Sequence, residues 1–115
     1  MKQEIQYEYM DGSANRYIVT VDSVEYIPVR PEESSSGLYS GGEPAKVYVS
    51  LEQYVKLSDL FESAFKSQDA HTVQRAKMTG LILKITPTDS TQIILKPESP
   101  EVQDIERELK SVLFN

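Results

Sequence analysis

Apolar and polar residues alternate along two N-terminal segments of the chain. In residues 2–10 the side chains of Ile5, Tyr7 and Tyr9 alternate with polar ones, and residues 16–22 repeat the pattern. A period of two residues is typical of a half-buried strand. The turn-forming cluster DGSAN separates the two segments, so together they predict a β-hairpin.

Two further extended segments follow before the first helix. Residues 24–29 are apolar, but Pro28 lies among them and cannot donate a hydrogen bond to a neighbouring strand. This piece is therefore expected to end the strand or to lie at a sheet edge. Residues 46–49 predict a few additional residues of strand.

A capping motif marks the start of the first predicted helix. Ser50 and Gln53 match the capping box, in which the side chain of each residue accepts a hydrogen bond from the free backbone N–H of the other. An apolar stripe at helical spacing predicts an amphipathic helix that packs on a sheet. Its members are Leu51, Tyr54, Val55, Leu57, Leu60, Phe61, Ala64 and Phe65.

The second half of the chain predicts another hairpin. Residues 67–77 indicate a loop that runs into a strand, and residues 78–86 read as a buried strand in which Gly80 is a candidate β-bulge. The turn sequence PTDS and a short apolar strand, residues 92–96, complete the hairpin.

A last helix is predicted from Ser99 onward. Ser99 suits the N-cap and Pro100 the first helical position, and Glu101 complements the helix dipole. Phe114 is expected to tuck the end of the helix into the core. The apolar residues at helical spacing are Val102, Ile105, Leu109, Val112 and Leu113.

This order of elements predicts a two-layer α+β domain over residues 1–115. It reads as two ββα halves joined near Asp69, with an antiparallel sheet of about four to five strands and two helices on one face. The other face of the sheet must be polar or covered. We expect Ile18, Val24 and Ile27 on it, which would favour dimerisation or partner binding through that face.

Composition narrows the classes of function. The 115-residue chain is 39% hydrophobic and 26% charged, with a net charge of −6, and this disfavours a nucleic-acid partner. The absence of cysteine excludes disulfides and thiolate zinc sites. No signal-peptide pattern or membrane-length apolar run is present, so a cytoplasmic protein without a membrane partner is expected, although a removed signal would leave the same sequence.

The segment 31–45, PEESSSGLYSGGEPA, is the longest stretch without apolar periodicity. A loop of this length within a compact domain is usually functional or disordered. It lacks the phosphate-binding P-loop pattern, and its carboxylates would repel an anion. The candidate binding residues in it are Glu32, Glu33, Leu38, Tyr39, Ser40 and Glu43.

Candidate catalytic and metal-binding chemistry is sparse. His71, the single histidine, has no neighbours at triad-like or ligand-like spacing. The loop carboxylates lack the spacing of an EF-hand, so neither a metal nor another cofactor is expected.

Three functions follow as hypotheses. The first is a non-catalytic binding module, which contacts a protein partner or a second copy through the 31–45 loop or the open sheet face. The second is a small enzyme or enzyme subunit that uses Glu32, Glu33, Ser40 or His71. The third is an inhibitor-like protein that presents the loop to an enzyme.

Overall fold

The computed structural model describes residues 5–29, 42–73, 79–97 and 99–114. Within them lie seven strands, two helices and a 3₁₀ turn, Gln68–Ala70. The strands are β1 (Gln6–Met10), β2 (Arg16–Val19), β3 (Ser23–Ile27), β4 (Ala45–Tyr48), β5 (His71–Thr72), β6 (Gly80–Ile85) and β7 (Ser90–Leu95). The helices are α1 (Leu51–Lys66) and α2 (Pro100–Phe114).

All seven strands form one antiparallel sheet in the order β4-β3-β2-β1-β6-β7-β5. The α+β class is confirmed, but the prediction of four to five strands and a ββα-ββα order is wrong. Strands β4 and β5 lengthen the two halves to ββββα and βββα. The halves join in the middle of the sheet, where β1 pairs with β6.

Strand β3 is an interior strand, and of the two alternatives predicted from Pro28, the end of the strand or a sheet edge, the first is confirmed. The strand ends at Ile27, so Pro28 lies just beyond it and takes no place in the ladder. Strand β4 pairs with the outer side of β3 and forms the sheet edge.

The turn between β1 and β2 is held by the side chain of Asp11. Its carboxylate accepts hydrogen bonds from the backbone N–H groups of Ser13 at 2.9 Å and Asn15 at 3.0 Å. The buried amide of Asn15 accepts a further bond from the N–H of Val29 at 2.9 Å. The turn is therefore tied to the chain that leaves β3.

Helix α1 begins with the predicted capping box. The Ser50 hydroxyl accepts a hydrogen bond from the N–H of Gln53 at 3.1 Å, and the N–H of Ser50 donates to the Gln53 side chain at 2.9 Å. The apolar face of this helix is narrower than predicted, because Leu51 and Val55 are exposed. The residues of the helix that are fully buried are Leu57, Phe61 and Ala64.

Both helices cover the same face of the sheet. On β1, the ring of Tyr7 stacks on Phe61 of α1 with centroids 4.8 Å apart, and the Tyr9 hydroxyl donates to Glu106 of α2 at 2.6 Å. An ion pair between Lys56 and Glu108, 3.2 Å apart, links the helices to each other. Neither helix in the described ranges has the length and apolar character needed to cross a bilayer.

Two core predictions need correction. Val24 is fully buried beneath the helices instead of lying on the opposite face. Phe114 meets Tyr26 edge-on at 5.6 Å but remains 57% exposed, because it ends α2 at the border of the sheet.

Gly80 is not a bulge, since β6 pairs with both neighbours in regular register. A Cβ atom at Gly80 would lie 2.7 Å from the hydroxyl oxygen of Tyr9. The glycine therefore makes room for the tyrosine ring that crosses it.

Candidate functional site

The predicted loop site falls almost entirely outside the described residues. Glu32, Glu33, Leu38, Tyr39 and Ser40 lie there, so their assignment stays a prediction. Glu43 is described. It is exposed and follows Gly42, whose φ of +98° is in the region that favours glycine.

His71 occupies a structural position at the short edge strand β5. Its Nε2 lies 2.8 Å from the carbonyl oxygen of Ala64, in the last turn of α1, and the side chain is half-buried. This contact connects the edge of the sheet to the end of the helix. The enzyme hypothesis therefore gains no carboxylate partner for His71 from the described residues.

A polar cluster lies between β1, β6 and α1 on the helix-covered face. The Tyr7 hydroxyl donates to Glu62 at 2.5 Å and lies 3.1 Å from the Ser58 hydroxyl, while Lys84 forms an ion pair with Glu62 at 2.7 Å. Burial, then the hydrogen bond to Glu62, raises the pKa of Tyr7 well above its usual range. Tyr7 is thus a neutral hydrogen-bond donor.

Glu62 is kept ionised by its neighbours. Partial burial raises the pKa of this carboxyl, but hydrogen bonds from Lys84 and Tyr7 and the charges of Lys84 and Lys66 outweigh it, so the net pKa is lowered. The cluster consequently has neither a base poised near neutral pH nor an activated nucleophile. Its geometry joins α1 to the sheet.

Tyr9 makes the corresponding contact to α2. Its ring is completely buried, and burial followed by the hydrogen bond to Glu106 raises the pKa of the phenol far above its usual value. Every buried side-chain N or O atom in the described parts of the chain has a hydrogen-bond partner. Within those ranges, the helix-covered face therefore leaves no buried polar side chain unpaired.

The opposite side of the sheet, here called the open face, has a different character. Side chains alternate across each strand, so the residues between the buried ones point to this side. Its half-buried apolar members come from five strands. They are Met10, Ile18, Ile27, Leu81, Leu83, Ile85 and Ile94. Tyr48 of β4 also lies on this side and is 79% exposed.

The register places several of these side chains in one line. Ile27 is opposite Arg16, Arg16 is opposite Met10, Met10 is opposite Leu81, and Leu81 is opposite Ile94. This row, which we call the apolar stripe, crosses the sheet from β3 to β7. At a strand spacing of about 4.8 Å it is roughly 19 Å long.

The charges on the open face are matched. Arg16 donates to Glu8 at 2.6 Å, and Glu25 of β3 is directly opposite Lys46 of β4. The aliphatic stem of an arginine covers apolar surface while its charged end remains solvated. Arg16 therefore interrupts the stripe without adding an unmatched charge.

A shallow depression lies in the centre of this face. It has a volume of about 340 Å³, and its walls include Glu8, Met10, Arg16, Leu81 and Leu83. Its size is at the lower limit of ligand pockets, and it suits an apolar side chain better than a whole metabolite. The depression is thus a candidate anchor point within a wider contact surface.

A second cavity of about 700 Å³ lies between the end of α1 and the start of α2. Residues 66–70, 96–97 and 99–101 contribute to it, and both of its lysines, Lys66 and Lys96, are exposed. Exposed lysines beside a helix start hold no ligand in fixed geometry, and we assign no function to this cavity.

The comparisons with known proteins give no family: no family model, no curated protein and no solved structure matches this chain. The open face thus has to be interpreted from its own geometry.

Sequence reasoning found Ile18 and Ile27 on the open face but missed the residues from β6 and β7. The signal was present, because LILKI and QIIL are nearly continuous apolar runs instead of alternating ones. Such runs are typical of strands that are buried on both faces.

Proposed function

We propose that this protein is a non-catalytic interaction module, and that it binds a protein partner through the open face of its sheet. The observation that carries the proposal is the apolar character of that face on β6, which Ile94 of β7 continues. An antiparallel sheet with one solvated face normally alternates apolar and polar residues. Strand β1 follows that rule, whereas Leu81, Leu83 and Ile94 do not.

The half-buried apolar side chains of the open face would stabilise a complex in which they become fully covered. Each apolar side chain that becomes fully covered contributes about 25 cal/mol for every Å² removed from water. A contiguous apolar surface with a polar border on a soluble protein marks an interaction site more often than single exposed apolar residues do. Such a contiguous surface is formed by Met10, Leu81, Leu83, Ile85 and Ile94, whereas Glu8 and Arg16 separate it from Ile18 and Ile27.

The edges of the sheet are weaker candidates for binding. Strand β5 has two residues, and β4 carries the exposed Lys46. Short edge strands and edge lysines hinder pairing with another chain. The proposal therefore favours contact through the face over addition of a strand at the edge.

The test is a photo-crosslinking experiment in cells of the native source. A photoreactive amino acid replaces Gln92, an exposed residue on the open face, or Gln103, an exposed residue on α2 that serves as the matched control. We expect a discrete crosslinked adduct from position 92 and none of the same mass from position 103.

A second substitution ties the adduct to the apolar surface. Leu83→Lys places a charge among the apolar residues and opposite Glu8, whereas Leu51→Lys makes the same change on the exposed start of α1. The adduct should disappear with Leu83→Lys and persist with Leu51→Lys. An adduct that survives Leu83→Lys, or equal crosslinking from positions 92 and 103, would overturn the proposal.

The 31–45 loop is a second candidate surface only on sequence grounds. Its composition supports an accessible segment, and β3 and β4 would hold its two ends at the edge of the sheet. The same crosslinker at Glu43, which is exposed, tests it alongside position 92. An adduct from position 43 alone would transfer the binding role to the loop.

A further inference from the structure

We infer that the open face pairs with the open face of a second copy of this chain, stripe against stripe. This inference rests on the proposed function and names the partner. It follows from three properties of the face: its charge balance, its symmetry and its area.

The charge balance separates this face from the rest of the molecule. The chain carries a net charge of −6. Among the described strand residues of the open face, however, two negative side chains, Glu8 and Glu25, are balanced by two positive ones, Arg16 and Lys46. A partner selected by charge would need an unmatched patch of one sign. A surface whose charges are balanced instead allows two copies of an acidic protein to meet without net repulsion at the contact.

The stripe has an apolar residue at its middle and at both ends. Met10 is its middle residue, and Ile27 and Ile94 are its two ends. A two-fold axis that lies in the interface and perpendicular to the stripe brings the same patch of both subunits together with its direction reversed. Reversal about Met10 places Ile27 of each copy against Ile94 of the other and Arg16 against Leu81, so the two arginines do not face each other.

The available area fits a dimer that uses the whole face. The seven strands contain 32 residues, which at about 4.8 Å between strands and about 3.3 Å per residue give roughly 500 Å² in projection, and accessible area exceeds projected area. A standard interface needs about 800 Å² from each partner. Contact must therefore extend across the whole sheet, from β4 to β5, as in packed sheets with aligned strands about 10 Å apart.

The absence of cysteine in the natural chain gives a direct test. A disulfide requires Cβ atoms about 3.5–4.5 Å apart, so a single introduced cysteine reports contact with its own copy. Met10→Cys, at the middle of the stripe, should yield a disulfide-linked dimer on mild oxidation. Val73→Cys is the control, because Val73 is more accessible, at 92% exposed, but lies outside the face.

The ends of the stripe test its direction. A mixture of Ile27→Cys and Ile94→Cys proteins should give more mixed disulfide dimer than either protein gives alone. Equal yields in the mixture and in the single proteins would overturn the reversed, stripe-on-stripe arrangement.

Sedimentation equilibrium then measures the association itself. The wild-type protein and Leu51→Lys should show the same dimerisation constant, whereas Leu83→Lys should dimerise at least tenfold more weakly. Both changes add one positive charge to an acidic protein, so general repulsion cannot explain a difference between them. A wild-type protein that stays monomeric, or a dimer unaffected by Leu83→Lys, would overturn the inference.

The two proposals fail in different ways. A monomeric protein whose position-92 adduct contains another protein, and is lost with Leu83→Lys, would leave the interaction module standing and remove the second copy as its occupant. If position 92 gives no adduct and the protein is monomeric, both the interaction module and the pairing of two copies are wrong.

Discussion

At the scale of single residues, ionisation of the Tyr9 hydroxyl makes the stability of the fold depend on pH. Its buried hydroxyl donates to Glu106, and burial raises the pKa of the phenol. An unfolded tyrosine ionises near pH 10, whereas the folded protein retains this proton at higher pH. The contribution of Tyr9 is therefore complete below about pH 10 and is lost as the pH rises further.

Tyr9→Phe is expected to flatten the alkaline decline in stability. Above about pH 10, the free energy of unfolding of the wild-type protein should fall more steeply than that of the variant, by up to about 1.4 kcal/mol per pH unit. Urea denaturation of both proteins between about pH 8 and 11 measures the two slopes. Parallel curves would contradict the account.

Gly80→Ala tests the close contact between β6 and Tyr9. The added Cβ would lie 2.7 Å from the tyrosine oxygen and 2.9 Å from a ring carbon, so the ring must move. Overpacking of this kind costs about 1–3 kcal/mol. In a Tyr9→Leu background the same change should cost clearly less, a coupling that a double-mutant cycle measures. Equal costs in the two backgrounds would show that Tyr9 does not explain the glycine.

This contact also shows a limit of sequence reasoning at the residue scale. Gly80 in an apolar strand predicted a bulge from local pattern alone. The actual reason is the ring of Tyr9, which belongs to a strand paired with β6 but distant along the chain. No local pattern contains that information.

At the scale of the element, the start of α1 is the clearest local signal in the chain. Ser50→Ala removes the hydroxyl that caps the helix and should lower the free energy of unfolding by about 1 kcal/mol. Ser63→Ala, on the exposed side of the same helix, is the matched control and should change it little. Denaturant midpoints measure both. Equal shifts in the two variants would show that the cap adds nothing specific.

The elements that depend on local pattern were predictable, and the ones that depend on partners were not. The main strands and helices were predicted from the capping box, the hairpin turns and the helical spacing of apolar residues in α2. Strand β5 has two residues and exists because β7 pairs with it, so its own sequence carries no signal. Val24 was assigned to the same face as Ile27, although residues three apart in a regular strand point to opposite faces, and Ile27 is the one on the open face.

At the scale of the whole molecule, pairing between segments that are distant along the chain joins the two halves of the sheet. Pairing of β1 with β6 joins residues separated by most of the chain, and sequence pattern does not specify it. The open face likewise emerges only when β1, β2, β3, β6 and β7 are placed side by side. Its apolar runs on β6 and β7 were visible in the sequence, but the side of the sheet to which each residue points was not.

The connection between β3 and β4 provides a fold-level prediction. Tyr26 is opposite Ala45, so the strands are antiparallel neighbours that a short linker can join. Replacing Glu33–Glu43 with a short Gly/Ser linker should leave the fold intact, because loop-closure entropy changes slowly with length. Near-UV circular dichroism and a single thermal transition would support this expectation. An unfolded variant would show that the segment is required for the core.

The central claim is that the open face is accessible in the single molecule and is covered by a partner. Methyl NMR with a soluble paramagnetic agent measures this accessibility at Ile18, Ile27, Leu83 and Ile94. In dilute protein we expect these half-buried methyl groups to relax clearly more than those of the fully buried Leu57, and less than those of the exposed Leu51 and Val55. Relaxation as weak as at Leu57 in dilute protein, in both the wild type and Leu83→Lys, would contradict the claim, because the chain's own residues would then cover the face.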